Sequence, residues 1–336
     1  MNIAIVGATG NVGRKLIEVL EKRNFKISEL FLIASSKSEG KKINFNGKEH
    51  TVIDLEKFDF SKVKIAFFAA GSAIAEKWAN VAAEKTIVID NSKFFRKDPD
   101  IPLIVPEVNS KELAQVKNKN IIANANCSVI PVVVALKPLH DLYNIRRIVV
   151  STYQSVSGAG KAPLDELLSQ TQEYFENKKL ESKYFTKQIA FNAIPHIDSF
   201  LENGYTKEEQ KTTDEIKKIL DKKIKITSTC VRIPVLVSHS ISTNVEFNKK
   251  CNLEEIRNVL STSPGCKVVD EHKDGGYITP VEAEDKFETF ISRIRLDESQ
   301  PNSINLWIVS DNLLKGAALN AVEIAEALIE KYFYGQ

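Results

Sequence analysis

The fold class predicted from this chain is α/β in two parts, a doubly wound parallel sheet followed by an α+β domain with a mixed sheet. The first half alternates short apolar runs with amphipathic helical patterns, as strands joined by crossover helices do. Past Tyr143 the texture changes to a succession of strands with few helices between them. With 336 residues and 43% hydrophobic content, two domains are the natural expectation.

The first strand, Asn2 to Val6, runs into Gly7-Ala8-Thr9-Gly10-Asn11-Val12-Gly13, and the following helix carries Val12, Leu16, Val19 and Leu20 on one face. A strand, a glycine turn and a helix N-terminus together suit a pyrophosphate, although the spacing is G-x-x-G-x-x-G and a plain tight turn is the alternative. The second strand, Leu30 to Ala34, ends in Ser35-Ser36-Lys37-Ser38. Hydroxyls and a cation where an acidic residue would select NAD favour NADP, while a polar turn without function is the other reading. Next come a strand Val63 to Ala69, a helix Ser72 to Lys85, a strand Thr86 to Asp90 and a loop with Arg96; a short helix to Lys117 precedes the strand at Ile121. Ligands on such sheets gather at the carboxyl ends of strands, where the glycine turn, Ser72, Arg96 and Cys127 all fall.

Ile121 to Ser128 delivers Cys127 just ahead of a helical pattern, Val129 to Leu142. A helix N-terminus favours thiolate over thiol, which makes Cys127 a candidate nucleophile, with an inert buried cysteine as the competing reading. Beyond it the pattern predicts a strand Arg147 to Tyr153 leading to Gln154 and a Gly-rich turn, a helix from Pro163 to about Asn177, and a capped helix start at Thr206. Strands follow at Lys225 to Val237, Ser240 to Asn248, Lys267 to Val269, Phe287 to Leu296 and Ser303 to Ser310, and an Ala-rich helix opens at Asp311 and ends at Tyr332.

Lys plus Arg (46) nearly balances Asp plus Glu (44), so neither nucleic acid nor an anionic membrane is implied. No apolar run is long enough to span a bilayer, and no secretory signal opens the chain. Cys127, Cys230, Cys251 and Cys266 form neither a C-x-x-C pair nor a dense framework; a reducing cytoplasm is expected, and no metal site.

Taken together, G-A-T-G-N-V-G, V-P-E-V-N ending at Asn109, N-A-N-C-S around Cys127, Y-Q-S-V-S-G-A-G from Tyr153, R-I-P-V with H-S between Arg232 and Ser240, R-I-R-L-D from Arg293 and D-N-L-L-K-G-A-A from Asp311 resemble the aspartate-β-semialdehyde dehydrogenases over nearly the whole chain. The resemblance implies a Rossmann-like domain of residues 1–127 plus 313–336 and a catalytic and dimerisation domain of residues 128–312. It implies NADPH-dependent reduction of L-aspartyl 4-phosphate to L-aspartate 4-semialdehyde, with release of phosphate, on the route to lysine, threonine and methionine. It also implies a homodimer or tetramer. By position, Cys127 matches the nucleophile, His239 the acid/base and Gln154 the residue that positions the acyl group; Arg96, Glu208, Lys211 and Arg232 match substrate or phosphate binders. Gly7, Thr9, Gly10, Asn11, Val12, Gly13, Ser35, Lys37, Ser38, Ser72, Ser157, Gly158 and Asn312 match cofactor contacts. The family commonly has Arg at Lys37 and at Leu314, and Gly at Ala70.

The chemistry is coherent without the resemblance. An acyl phosphate needs a soft nucleophile that leaves a thioester, and histidine can move protons near neutral pH. Among five histidines the sequence alone singles out none, and Arg232 and His239 would face opposite sides of an unbroken strand unless Pro234 or a bulge interrupts it. Competing readings are an N-acetylglutamyl-phosphate reductase, a glyceraldehyde-3-phosphate dehydrogenase and a non-catalytic NADP-binding sensor.

Overall fold

A computed structural model describes residues 1–332. It divides into two units, Met1–Ala125 with Ala317–Gln336, and Asn126–Gly316. The boundaries expected from sequence, 127/128 and 312/313, therefore shift, and Cys127 belongs to the second unit.

In the first unit β1 (Asn2–Val6), α1 (Asn11–Lys22), β2 (Glu29–Ala34), β3 (Lys42–Phe45), β4 (Lys48–Thr51), β5 (Ile53–Asp54), β6 (Ile65–Phe68), α2 (Ser72–Ala83), β7 (Ile87–Asp90), β8 (Leu103–Ile104), α3 (Pro106–Asn109) and β9 (Ile121–Asn124) follow one another. Seven strands form a parallel sheet in the order β5-β2-β1-β6-β7-β9-β8. The strands are almost wholly buried, as expected when helices cover both faces. The order reverses at β1, so the ends of β1, β2 and β6 form the crevice where such sheets take ligands. β3 and β4 make a separate hairpin around Asn46-Gly47, both at positive φ (48° and 74°), a turn signal that the sequence reading passed over. The short helix expected up to Lys117 is instead α3 followed by 3₁₀ turns over Ser110–Asn118.

The second unit contains α4 (Val129–Tyr143), β10 (Ile145–Gln154), α5 (Lys161–Phe175), α6 (Lys207–Ile219), β11 (Lys225–Arg232), β12 (His239–Phe247), α7 (Leu253–Thr262), β13 (Cys266–Val268), α8 (Pro280–Ala283), β14 (Thr289–Leu296) and β15 (Ser303–Ser310). The sheet is mixed, in the order β11-β10-β12-β15-β14-β13. Helix α4 is apolar nearly all round, and Val129 to Leu136 are buried because it packs against β12, β14, β15, α6 and α7. The opposite face of the sheet carries Val149, Ser151, Tyr153, Ser242, Asn244, Asn305 and Trp307, all half-buried.

Three expectations need correction here. The strand expected to run from Lys225 to Val237 stops at Arg232, because the chain turns out of the sheet at Ile233-Pro234. Helix α7, capped by Asn252, stands where none was read; its L-E-E-I-R-N-V-L pattern is amphipathic and buries Ile256 and Leu260. The last helix does not open at Asp311: a π-helical turn, Leu314–Ala318, precedes α9 (Leu319–Tyr332). In the first unit α9 lies against α1 and α3, tied by Arg23 to Glu326 at 2.6 Å and by Asn320 to the Ile104 carbonyl at 3.1 Å. Among the described residues no helix is long and apolar enough to cross a membrane.

Candidate active site

The sheet of the second unit brings distant residues to one rim. Gln154 ends β10 and is level with Arg232, the last residue of the parallel β11; the antiparallel β12 starts beside them with His239, which is level with Ser310 at the end of β15. Arg232 and His239 are thus on different strands either side of β10, and the alternation that seemed to separate them does not apply. Between them Ser238 takes a φ of 73°, a costly conformation for a side-chain-bearing residue that turns the chain into β12.

Cys127 precedes Ser128, the N-cap of α4, and lies with Sγ 3.3 Å from His239 Nε2 and 3.4 Å from Asn126 Oδ1. Its loop is held from α6. Asn126 N–H donates to Glu215 at 2.7 Å, and Asn126 Nδ2 donates to Glu208 at 2.9 Å. Gln154 Nε2 reaches the same Glu208 oxygen at 3.2 Å, and Lys211 bridges Glu208 (2.6 Å) and Asp198 (3.2 Å). These side chains stay aligned because α6 begins in a complete capping box of Thr206 and Glu209. Gly316 lies against the nucleophile: a Cβ there would fall 2.9 Å from Cys127 Cβ.

The charges are arranged around this thiol. Burial works to raise the Glu208 carboxyl, but Lys211 and the Asn126 and Gln154 amides outweigh it and hold the group down at about 2. Glu208 is therefore an anion at all working pH values. Burial and then the Arg232 charge push His239 down to about 3, so the ring is neutral at rest rather than poised near 7. Arg232 is itself buried and donates from Nη1 to the Ser155 carbonyl at 2.6 Å. Cys230, deeply buried where Cys127 is only partly so, is pushed by burial up to about 12 and has no nucleophilic character. Above this cluster, Gly158 is exposed, and a Cβ there would lie 3.2 Å from the His239 ring and 3.3 Å from Arg232.

The remaining sequence candidates occupy the first unit. Gly7 (φ 90°) could not carry a Cβ, which would meet the Ala69 backbone at 2.7 Å, and a Cβ on Gly13 would strike Gly7 O at 2.1 Å. The turn Gly7 to Gly10 is thus compressed against β6, with Thr9, Asn11 and Val12 partly open beside it and no acidic residue in the first turn of α1. Helix α2 begins with Ser72 behind Gly71, also without an acid in its first turn. Ser35 caps the single turn Ser36–Ser38; Lys37 is exposed on it, Lys41 donates to the buried Ser38 at 3.3 Å, and Glu39 is engaged by Lys57 at 2.8 Å. Two open helix N-termini and a cationic turn at the switch point fit a phosphorylated dinucleotide. Arg96, half-buried past β7, donates to the Asn91 carbonyl at 3.0 Å.

Comparison with known proteins finds relatives along nearly the whole chain. Residues 2–116 match the family model "semialdehyde dehydrogenase, NAD binding domain", and residues 136–315 match "semialdehyde dehydrogenase, dimerisation domain". An aspartate-semialdehyde dehydrogenase from Aquifex aeolicus is 50% identical over 98% of both chains. The chain belongs to the aspartate-semialdehyde dehydrogenase family. Aspartate-semialdehyde dehydrogenase 2 of Vibrio cholerae is 49% identical over 99% of this chain and 98% of its own. The crystal structure of aspartate semialdehyde dehydrogenase II from the same organism superposes with a TM-score of 0.97 over 99% of each chain, and another is described as complexed with ASA. Within this family membership the chain is an oxidoreductase with a nucleotide-binding domain and a domain of the dimerising type.

Several residues around the thiol were not read from the sequence: Asn126, Ser155, Glu215, Ser238 and Gly316. One signal was available, since Glu208 and Glu215 are seven apart on a capped helix and so share a face.

Proposed function

We propose that this chain reduces L-aspartyl 4-phosphate to L-aspartate 4-semialdehyde with NADPH and releases phosphate, in the cytoplasm and on the route to lysine, threonine and methionine. The observation that carries the reading is Cys127 Sγ at 3.3 Å from His239 Nε2, with a fixed anion, Glu208, and a buried guanidinium, Arg232, beside the pair. An amino acid presents an ammonium and a carboxylate, which are the complements of those two groups. His239 Nε2 takes the proton from Sγ as Sγ attacks the acyl carbon, the bond from that carbon to the phosphate oxygen breaks, and phosphate departs with the electron pair, leaving a thioester on Cys127 and a protonated imidazole beside it. Gln154, held by Glu208, orients the acyl group, and Lys211 is the cation for the leaving phosphate; Arg96 is carried as a further substrate contact on the family resemblance. When bound, NADPH supplies the hydride that reduces the thioester. His239 Nε2 then returns that proton to the departing sulfur and is neutral again.

The nucleotide is held, in this reading, by Gly7, Thr9, Gly10, Asn11, Val12, Gly13 and Ser72 along its phosphates, by Ser35, Lys37 and Ser38 at a 2′-phosphate, and by Ser157, Gly158 and Asn312. Lys37 with Lys41 nearby, and Glu39 neutralised by Lys57, favour NADP over NAD. The half-exposed face around Tyr153 and Trp307 is the proposed homodimer contact.

An N-acetylated substrate brings no ammonium to the Glu208 anion and so lacks one of the two charge complements, which disfavours the N-acetylglutamyl reading. Phosphate-dependent NADP reduction should therefore proceed with aspartate semialdehyde and not with N-acetylglutamate semialdehyde. Equal or faster turnover of the second substrate would overturn the assignment, and a lack of turnover with either would favour the sensor.

A further inference from the structure

Ser155 contacts the His239 ring on the side away from the thiol. Its backbone N–H donates to Nδ1 at 3.1 Å, and its hydroxyl oxygen lies 3.1 Å from the same nitrogen. A ring nitrogen that accepts a hydrogen bond carries no proton, so the neutral ring has its proton on Nε2, facing Cys127 Sγ. With the Nδ1 lone pair occupied, the Ser155 hydroxyl directs its own proton to Asn312 Oδ1 at 3.1 Å.

The orientation of that amide is fixed, because Ser238 N–H donates to Asn312 at 2.8 Å and must therefore meet its oxygen. Asn312 Nδ2 then donates to Ser157 Oγ at 3.0 Å, and the Ser157 hydroxyl lies 3.2 Å from Asn312 Oδ1, to which it donates, and 3.2 Å from Ser155 Oγ. The three side chains form a closed triangle of hydrogen-bonded contacts, every member nine-tenths or more buried. It leaves Ser155 Oγ one lone pair directed at Nδ1.

The acid and base steps make opposite demands on His239. Giving a proton to sulfur requires the imidazolium, with N–H at both nitrogens, because a neutral ring would be left as an imidazolate, whereas taking one requires a bare Nε2 and a neutral ring with its proton on Nδ1. We propose that Ser155 is a positioning residue that serves both the resting and the reacting ring: its backbone N–H holds the resting ring in its Nε2–H form, and its hydroxyl, oriented by Asn312, accepts from Nδ1–H in the neutral base and in the imidazolium that gives its Nε2 proton to sulfur. The charged and titratable groups facing the ring are Arg232, Glu208 and Cys127. Burial and the Arg232 cation disfavour a protonated ring, which makes an acceptor at Nδ1 more consequential.

The inference rests on the reading of Cys127 and His239 as the reacting pair, and one arm of its test is independent of turnover. Nitrogen NMR of the full protein labelled with ¹⁵N-histidine, with His239 assigned by its loss in His239→Asn, should show Nε2 protonated and Nδ1 bare at neutral pH. Ser155→Ala keeps the backbone N–H and should keep that tautomer, while kcat falls about tenfold, the size of one hydrogen bond to a group that becomes charged, and KM for the semialdehyde stays the same. Ser155→Thr restores the hydroxyl and should recover most of the rate. A proton on Nδ1 in the resting protein would overturn the proposal. So would kcat of Ser155→Ala within twofold of the unmodified enzyme, a loss confined to KM, or Ser155→Thr no better than Ser155→Ala. Failure of the proposed substrate would leave the NMR result standing, because it requires no substrate.

Discussion

Gly316→Ala tests how tightly the nucleophile is held. Gly316 lies in the π-helical turn, its N–H donating to the Asp311 carbonyl at 3.0 Å. A Cβ at this position would stand 2.9 Å from Cys127 Cβ and 3.2 Å from Cys127 Cα. Carbons rest at about 3.5–4.0 Å, so one of the two segments must yield by roughly half to one ångström. The contacted atoms are the root of the reacting side chain, so little of the strain can be relieved by rotating a flexible tip. Overpacking of this kind costs about 1–3 kcal/mol, within reach of a stable fold. Displacing a reacting atom by about 1 Å costs on the order of a hundredfold in rate. The assay is kcat with both substrates saturating, alongside circular dichroism and a melting curve to show that the variant is folded. A folded Gly316→Ala enzyme with kcat within threefold of the unmodified one would refute the claim that this contact positions Sγ.

Cys127→Ala should lower turnover by on the order of a thousandfold or more while leaving NADP binding intact. Iodoacetamide, followed by peptide mass spectrometry, should modify Cys127 before Cys230, whose buried thiol is pushed up to about 12; first labelling at Cys230 would count against the assignment. Glu208 sits at about 2 in the folded chain against an ordinary 4.5, so it contributes stability above about pH 4.5 that is lost as the pH falls toward 2. Lys211→Met removes the cation, raises that carboxyl and should move acid unfolding to higher pH; unchanged urea midpoints across pH 3 to 6 would contradict this. Lys37→Glu should erode a preference for NADP, and equal use of NAD and NADP by the unmodified enzyme would refute the preference itself. Light scattering should report a dimer, and Tyr153→Asp on the half-exposed face should give monomers; a monomer before mutation would rule that interface out.

Much of the first unit was legible because its signals are local. The glycine turn, the strand before it and the helix after it lie within 22 residues of the N-terminus, and periodicity alone separates them. The capped start of α6 was read correctly from Thr206 and the acids that follow. The relation between Arg232 and His239 was not legible, since it depends on β11 and β12 pairing with opposite sides of β10, a choice made by the sheet. The neutral state of His239 was equally hidden. Its cause is complete burial beside Arg232, a tertiary fact, whereas an isolated histidine titrates near neutrality. Helix α7 and the β3–β4 hairpin did carry readable signals, the Asn252 cap and Asn46-Gly47, which the density of neighbouring strands and charges obscured.

Gln154, Arg232 and His239 are terminal residues of three adjacent hydrogen-bonded strands of the second unit, so no loop lies between these side chains and the ladder that carries them. Regions of this kind open only with the whole cooperative unit, whereas sites built on loops can melt on their own. Thermal inactivation should accordingly coincide with loss of the β-sheet signal, and amide exchange at positions 154 and 239, on the inner strands β10 and β12, should be as slow as that of the sheet's centre. The acid/base half of the reacting pair thus keeps its place up to the melting point and is lost together with the sheet.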